Sequence, residues 1–239
     1  MAESRANTIE TLKLIYYMVH FFANSTDKNS LGGWFRKRRF LFFEKSVSKI
    51  IANKATPIRI LDVGGVESYW INNGFQNKDK IIITLLNLTN ESTNSLNITS
   101  TIGDATNLEQ FMDNEFDIVF SNSVIEHLYN LENQVLMSKE VQRVGKYHFI
   151  QTPNKNFFIE PHYLLPFFQF IPKSIRYYIL TKTRLSRGMR WDKEYASQYL
   201  AEIELVSFTG LKRLFPHSKI HKETFLGMNK SFTAHNFDN

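Results

Sequence analysis

The feature that most constrains this 239-residue chain is a series of short apolar runs that keep returning between helical patterns. Arg59 to Val63, Ile81 to Leu88, Phe116 to Ser121 and Tyr147 to Thr152 are such runs. Segments apolar along their whole length are buried on both faces, and strands of that kind joined by helices build parallel sheets. Ser68 to Phe75, the stretch around Leu108 to Asp113, and Leu128 to Val144 lie between them, with Gly145 at a C-cap position. A helix from Glu202 to Phe215 precedes two last strands, Lys219 to Leu226 and Lys230 to Ala234. Their short Gly227-Met228-Asn229 connection predicts an antiparallel pair. The expected fold is α/β, a doubly wound and mostly parallel sheet with an antiparallel last strand.

Two segments stand outside that alternation. Residues 1–55 read as an N-terminal helical arm. Asn7 and Glu10 form a capping box, and Ile9, Leu12, Tyr16 and Val19 recur at helical spacing to about Asn24. A polar loop with Gly32-Gly33 as a hinge follows, then a second helix from Trp34 to Ala55. Residues 56–239 form the main domain. Within it, 155–200 exceeds an ordinary strand-to-helix connection several-fold and reads as a lid inserted after the fifth strand, since long insertions at the carboxyl edge of such sheets cover ligands. The 21 Phe and 10 Tyr imply a broad apolar cleft or a buried face.

Composition removes several chemistries. With no cysteine, disulfides, thiolate zinc sites and cysteine nucleophiles are excluded. His217 and His221 have helical spacing but straddle a helix-to-strand turn, so no metal site is expected. Met1 to Arg5 lacks the start of a signal peptide, charges and prolines interrupt every apolar stretch, and the chain reads as cytoplasmic. The net charge of +6 favours an anionic partner. The densest cluster, Arg36-Lys37-Arg38-Arg39 beside Trp34, Phe35 and Phe40, fits a solvated helix face or a peripheral contact with lipid headgroups.

The chemistry concentrates between Ile58 and His127. Ile58-Arg59-Ile60-Leu61-Asp62-Val63-Gly64-Gly65 is a strand ending in an acid and two glycines, which permit a tight turn and close backbone approach by a ligand. Asp62 can accept from a cationic amino group. The second strand closes on Asn87, where nucleoside-binding folds place a ribose ligand. Gly103-Asp104-Ala105 sets a carboxylate on a loop, suited to an exocyclic amine. Phe116-Asp117-Ile118-Val119-Phe120-Ser121-Asn122 then runs into Glu126-His127-Leu128. Singly, Asp62 and Asp104 fit helix caps or turn formers. A nicotinamide site is disfavoured, because Gly64-Gly65-Val66-Glu67-Ser68 supplies no Gly-x-Gly-x-x-Gly.

Together these blocks resemble the class I S-adenosylmethionine-dependent methyltransferases of the type 11 kind, which have a Rossmann-like fold. The resemblance covers about Ile58 to Asn154. It implies that S-adenosylmethionine is the cofactor and S-adenosylhomocysteine the product. It further implies that Asp62, Gly64 and Gly65 hold the methionine end, Asn87 the ribose, and Asp104 and Ala105 the adenine, while Ser121 and Asn122 line the floor below the sulfonium. Two departures stand out: the third glycine of the loop is missing, and Asn87 replaces the usual acid.

On the acceptor side, Thr152-Pro153-Asn154 followed by Glu160-Pro161-His162 resembles methyltransferases of bacterial sugar and surface-glycan modification. For a hydroxyl nucleophile, His162 is the first candidate base, with Glu160 orienting it or binding hydroxyls, and His127 is the second. A structural role for Glu160 and His162 in a proline-locked loop is the alternative. Phe157, Phe158, Tyr163, Phe167 and Phe168 are expected to form lid core rather than stack on substrate, and Arg184, Arg187 and Arg190 to be solvated, with a phosphate contact the alternative. The expected acceptor is a small molecule or glycan. Alternatives are a lipid or quinone-like phenol at a membrane surface, or an inactive cofactor-binding subunit. No nucleic-acid partner is expected, since no Asn-Pro-Pro-Tyr-type motif is present.

Overall fold

The computed structural model describes residues 30–52 and 54–237. The helix expected from Asn7 to Asn24 lies outside them. Two compact units divide the described residues. Residues 42–154 with 202–237 form a sheet unit, and residues 30–41 with 155–201 form a second unit.

In the sheet unit, β1 (Ile58–Val63), β2 (Ile81–Asn87), β3 (Ile98–Ile102), β4 (Phe116–Asn122), β5 (Gly145–Pro153), β8 (Lys219–Phe225) and β9 (Met228–His235) form one sheet in the order β3-β2-β1-β4-β5-β9-β8. The first five strands are parallel, and β9 runs antiparallel between β5 and β8. This is the doubly wound, mostly parallel sheet the apolar runs predict. Strand β3, Ile-Thr-Ser-Thr-Ile, was not among them. It is an edge strand with only Ile98 buried, so its sequence lacks a continuous apolar run.

Alternation decides which face each strand residue serves. Leu61, Val63, Leu86, Val119 and Ile150 form one core with Met137 and Val141 of α3 (Leu131–Val144) and Leu211 and Leu214 of α6 (Phe208–Leu214). On the other face Phe120 and Phe149, register partners, stack at 5.4 Å. Phe43 from the later part of α1 (Leu31–Ala52) and Trp70 from α2 (Glu67–Asn72) pack edge-on against that pair. Much of the aromatic content of the sheet unit is therefore core rather than cleft.

Local caps move several expected boundaries. The Ser30 hydroxyl accepts from the Gly33 N–H, so Gly32 and Gly33 lie in the first turn of α1 and are not a hinge. The helix read from Leu128 instead begins at Leu131, where the Asn130 side chain accepts from the Asn133 N–H, and a single 3-10 turn, Ile125–His127, precedes it. Gly145 is the C-cap of α3, as expected, its N–H donating to the Val141 carbonyl, but it is extended and also opens β5. An added Cβ would sit 2.5 Å from Val119 Cγ2, so close strand packing, not a left-handed cap, requires glycine there. The segment expected as one helix, Glu202 to Phe215, is two ends: α5 (Lys193–Glu202) stops at Glu202 and α6 starts after Ser207.

The second unit carries the short hairpin β6 (Ile159–Glu160) and β7 (Leu165–Pro166), a 3-10 turn at Phe168–Phe170, α4 (Lys173–Lys182) and most of α5. Its core is Tyr163, Phe168, Leu180, Trp191, Ala196 and Leu200. Phe157 is also buried, but Phe167 is 58% exposed, which corrects its expected place in the core. Of the four clustered cations, only Lys37 and Arg38 are exposed; Arg38 covers the Trp34 ring and Arg39 is buried.

Candidate active site at the carboxyl edge of the sheet

The ends of β1 to β4 sit side by side because the ladder hydrogen bonds continue past them. Gly64 N–H donates to the Leu86 carbonyl at 2.8 Å, and Gly103 N–H to the Asn87 carbonyl at 2.9 Å. This brings Gly64, Gly65, Asn87, Gly103, Asp104 and Asn122 to one edge, the side on which open α/β sheets bind ligands.

The turn after β1 is tightly specified. Gly64 has φ +72°, and a Cβ on it would meet Val124 Cγ2 at 2.4 Å. A Cβ on Gly65 would fall 1.7 Å from Asp62 Oδ2. Asp62 itself is buried, on the α2 face of β1, and accepts from the Trp70 indole N–H at 2.7 Å. Burial pushes its carboxyl up to about 8, against the opposing pull of that indole bond. Asp62 thus braces the turn from beneath, a role not visible in the motif.

The remaining predicted positions divide. The Asn87 amide N–H donates to the Gly65 carbonyl at 2.8 Å, leaving its amide oxygen as the group suited to accept from a hydroxyl. A carboxylate could not make that brace, which gives the departure from the usual acid a structural reason. Asp104 is exposed, and its Oδ1 accepts from the Thr106 N–H and hydroxyl at 2.8 Å, an Asx turn. Ala105 packs into the sheet core. Ser121 is fully buried and its hydroxyl donates to the Val63 carbonyl, so it braces β4 against β1 and does not line an open floor. Asn122 closes β4 half-buried.

The 3-10 turn after β4 adds two groups. His127 Nδ1 lies 2.6 Å from Glu202 Oε1. Glu126 is buried; its Oε2 accepts from the Thr152 hydroxyl, and its Oε1 has no hydrogen bond among the described residues. By itself the Glu126-His127 pair reads as a capping, solvated helix start; the burial of Glu126 depends on surroundings that the local sequence does not show. In the second unit, His162 Nδ1 lies 2.6 Å from Glu160 Oε1, and Glu160 Oε2 accepts from the Tyr163 N–H. Arg187 donates twice to the His162 carbonyl. Arg187 is therefore part of that loop's framework, although its side of the chain was expected to be simply solvated.

A family model described as a methyltransferase domain matches residues 81–148, from β2 into β5. That match covers less than half of this chain. No curated protein matches significantly. Among solved structures, the CMeT domain of citrinin polyketide synthase has a TM-score of 0.50 at 10% identity, covering 91% of this chain and 54% of that one. A SAM-dependent methyltransferase from Methanosarcina mazei has a TM-score of 0.45 at 15% identity, over 78% of this chain and 95% of that one. Phosphoethanolamine N-methyltransferase 2 from Haemonchus contortus, in complex with S-adenosyl-L-methionine, scores 0.48 at 18% identity over 87% and 43%. This chain spans about half or less of the first and third of these. At such identities the likeness is one of fold.

Proposed function

We propose that this enzyme transfers the methyl group of S-adenosylmethionine to an acceptor hydroxyl on a sugar, glycan or glycan precursor. One observation carries the reading: the ends of β1, β2 and β3 present, on a single edge, a glycine turn, an amide acceptor at Asn87 and a carboxylate at Asp104. That set suits an adenosyl group, whose ribose hydroxyls and adenine amine are donors. Gly64 and Gly65 would hold the methionine end against bare backbone, Asn87 Oδ1 the ribose, and Asp104 Oδ2 the adenine amine. When bound, S-adenosylmethionine supplies a methyl carbon activated by its sulfonium, so the chain's own tasks are alignment and exclusion of water.

The acceptor proton needs a base. His127 is the candidate within the sheet unit: Glu202 holds Nδ1 as the donor, which puts the ring's lone pair on Nε2 and stabilises the imidazolium once it takes the proton. His162 and Glu160 form a second pair of the same geometry in the other unit. The glycan acceptor rests on the Thr152-Pro153-Asn154 and Glu160-Pro161-His162 pattern. A lipid or phenol acceptor is the second reading, supported by the exposed Phe167 and Phe170. Calorimetry with S-adenosylhomocysteine and turnover on an acceptor panel test the proposal. His127→Ala and His162→Ala should keep cofactor affinity, and the variant lacking the base should lose roughly 100-fold or more in turnover. Cofactor binding without methylation of any acceptor would favour an inactive partner subunit, and no binding would remove the site.

A further inference from the structure

We propose that the second unit docks on an anionic lipid surface through α4 and the turns at its two ends. From Pro161 to Trp191 the sequence holds Lys173, Arg176, Lys182, Arg184, Arg187 and Arg190 and no Asp or Glu. That stretch alone carries a charge equal to the formal net charge of the chain, +6. Of the six, Arg187 bonds the His162 carbonyl and Arg176 is only partly exposed. The other four are exposed, and none has an ion-pair partner among the described residues.

Charge alone would suit any polyanion. The apolar side chains set among these cations do not. Leu180 turns into the core, so the opposite side of α4 presents Ile175, Tyr178 and Lys182, at i, i+3 and i+7, and both apolar residues are exposed. Before α4, Phe167 and Phe170 are 58% and 56% exposed, and Phe167 is held in the left-handed region at φ +56°. Backbone strain of that kind, holding an exposed aromatic ring outward at the end of the β6–β7 hairpin, is characteristic of functional positions. After α4, Arg184 and Leu185 follow directly, and Leu185 is half exposed. Aromatic and aliphatic tips spaced among unpaired cations match the boundary between lipid headgroups and acyl chains. No described helix is long and apolar enough to cross a membrane, so the contact is peripheral. The Arg36 to Arg39 cluster lies on a different element, α1, where Lys37 and Arg38 are exposed and Arg39 is buried.

Cosedimentation of the full chain with phosphatidylcholine vesicles, with and without phosphatidylglycerol, tests the inference without requiring methyl transfer. Binding should need the anionic lipid and weaken with salt. Lys182→Glu and Arg184→Glu should each reduce it roughly fivefold or more. Phe167→Ser with Phe170→Ser should reduce it at constant salt, with thermal melting of every variant checked against the unaltered chain. Equal binding to neutral vesicles, or none to anionic ones, overturns the proposal. So does tighter binding to duplex nucleic acid that ignores the phenylalanine changes, which would identify a plain polyanion site.

Discussion

Gly65 and Asp62 show what a single position can decide. The carboxylate lies where a Gly65 side chain would have to go, and the Trp70 indole keeps it there. Gly65→Ala should therefore destabilise the protein by roughly 1–3 kcal/mol, as overpacking does, and weaken S-adenosylhomocysteine binding; a variant that melts and binds like the original would remove the brace. Asp104 offers a cleaner separation of roles. Asp104→Asn retains an oxygen to accept from Thr106 and so keeps the Asx turn, whereas Asp104→Ala loses both the turn and the charge. If Oδ2 accepts from adenine, calorimetry should show both variants binding weakly, with only the alanine variant also losing about 1 kcal/mol of stability. Normal binding by the asparagine variant would confine Asp104 to the turn. At this scale the local motifs do not show which partners within the protein these residues bond. Asp62, Ser121 and Asn87 all lie at the edge, yet each spends polar atoms on the protein itself, because partners from other strands and helices are not written in a local motif.

Among the elements, the β8–β9 hairpin is the clearest case of a sequence choosing its own geometry at a cost. Leu226 and Gly227 have φ of +49° and +76°, the two-residue turn whose twist matches the flanking strands. Gly227 takes that conformation freely, but a leucine in the left-handed region costs about 1–2 kcal/mol, and this one is exposed. Leu226→Asn should raise stability by roughly 1 kcal/mol, read as a higher midpoint in urea with an unchanged slope; a lower midpoint would mean that the leucine packs against something of value. Strand β3 teaches the opposite lesson. It is short, polar-flanked and at the sheet edge, and only pairing with β2 makes it a strand. Both of these helix starts were misplaced although their caps are local: Asn130 caps α3 beyond the expected start, after Tyr129 takes a positive φ, and Ser207 caps α6 inside a segment expected as one helix.

At the scale of the molecule, two buried groups govern the response to pH. Burial raises Asp62 to about 8, while burial and the nearby His235 lower His148 to about 4. A raised carboxyl holds its proton more tightly folded than unfolded, so its contribution is complete below its ordinary value of 3.8 and is lost as pH climbs to about 8. A lowered histidine contributes fully above its ordinary 6.5 and loses that contribution as pH falls toward about 4. From about pH 4 to 6.5 the two slopes oppose and these groups leave stability flat. From 6.5 to about 8 Asp62 acts alone and stability falls, by on the order of 1 kcal/mol per pH unit. Asp62→Asn should abolish that fall and uncover the rise due to His148 at lower pH. Urea denaturation across the range checks this, and an unaltered profile would show that Asp62 is charged in the folded protein. The sequence by itself determined the sheet class and where most of its strands end, because apolar periodicity and glycine turns are local and repeat along the chain. Only the tertiary structure decided that Asp62 lies beneath the turn, that Glu126 is buried and that His127 meets Glu202. Those facts depend on distant segments meeting, and desolvation and hydrogen bonding act only once they have met.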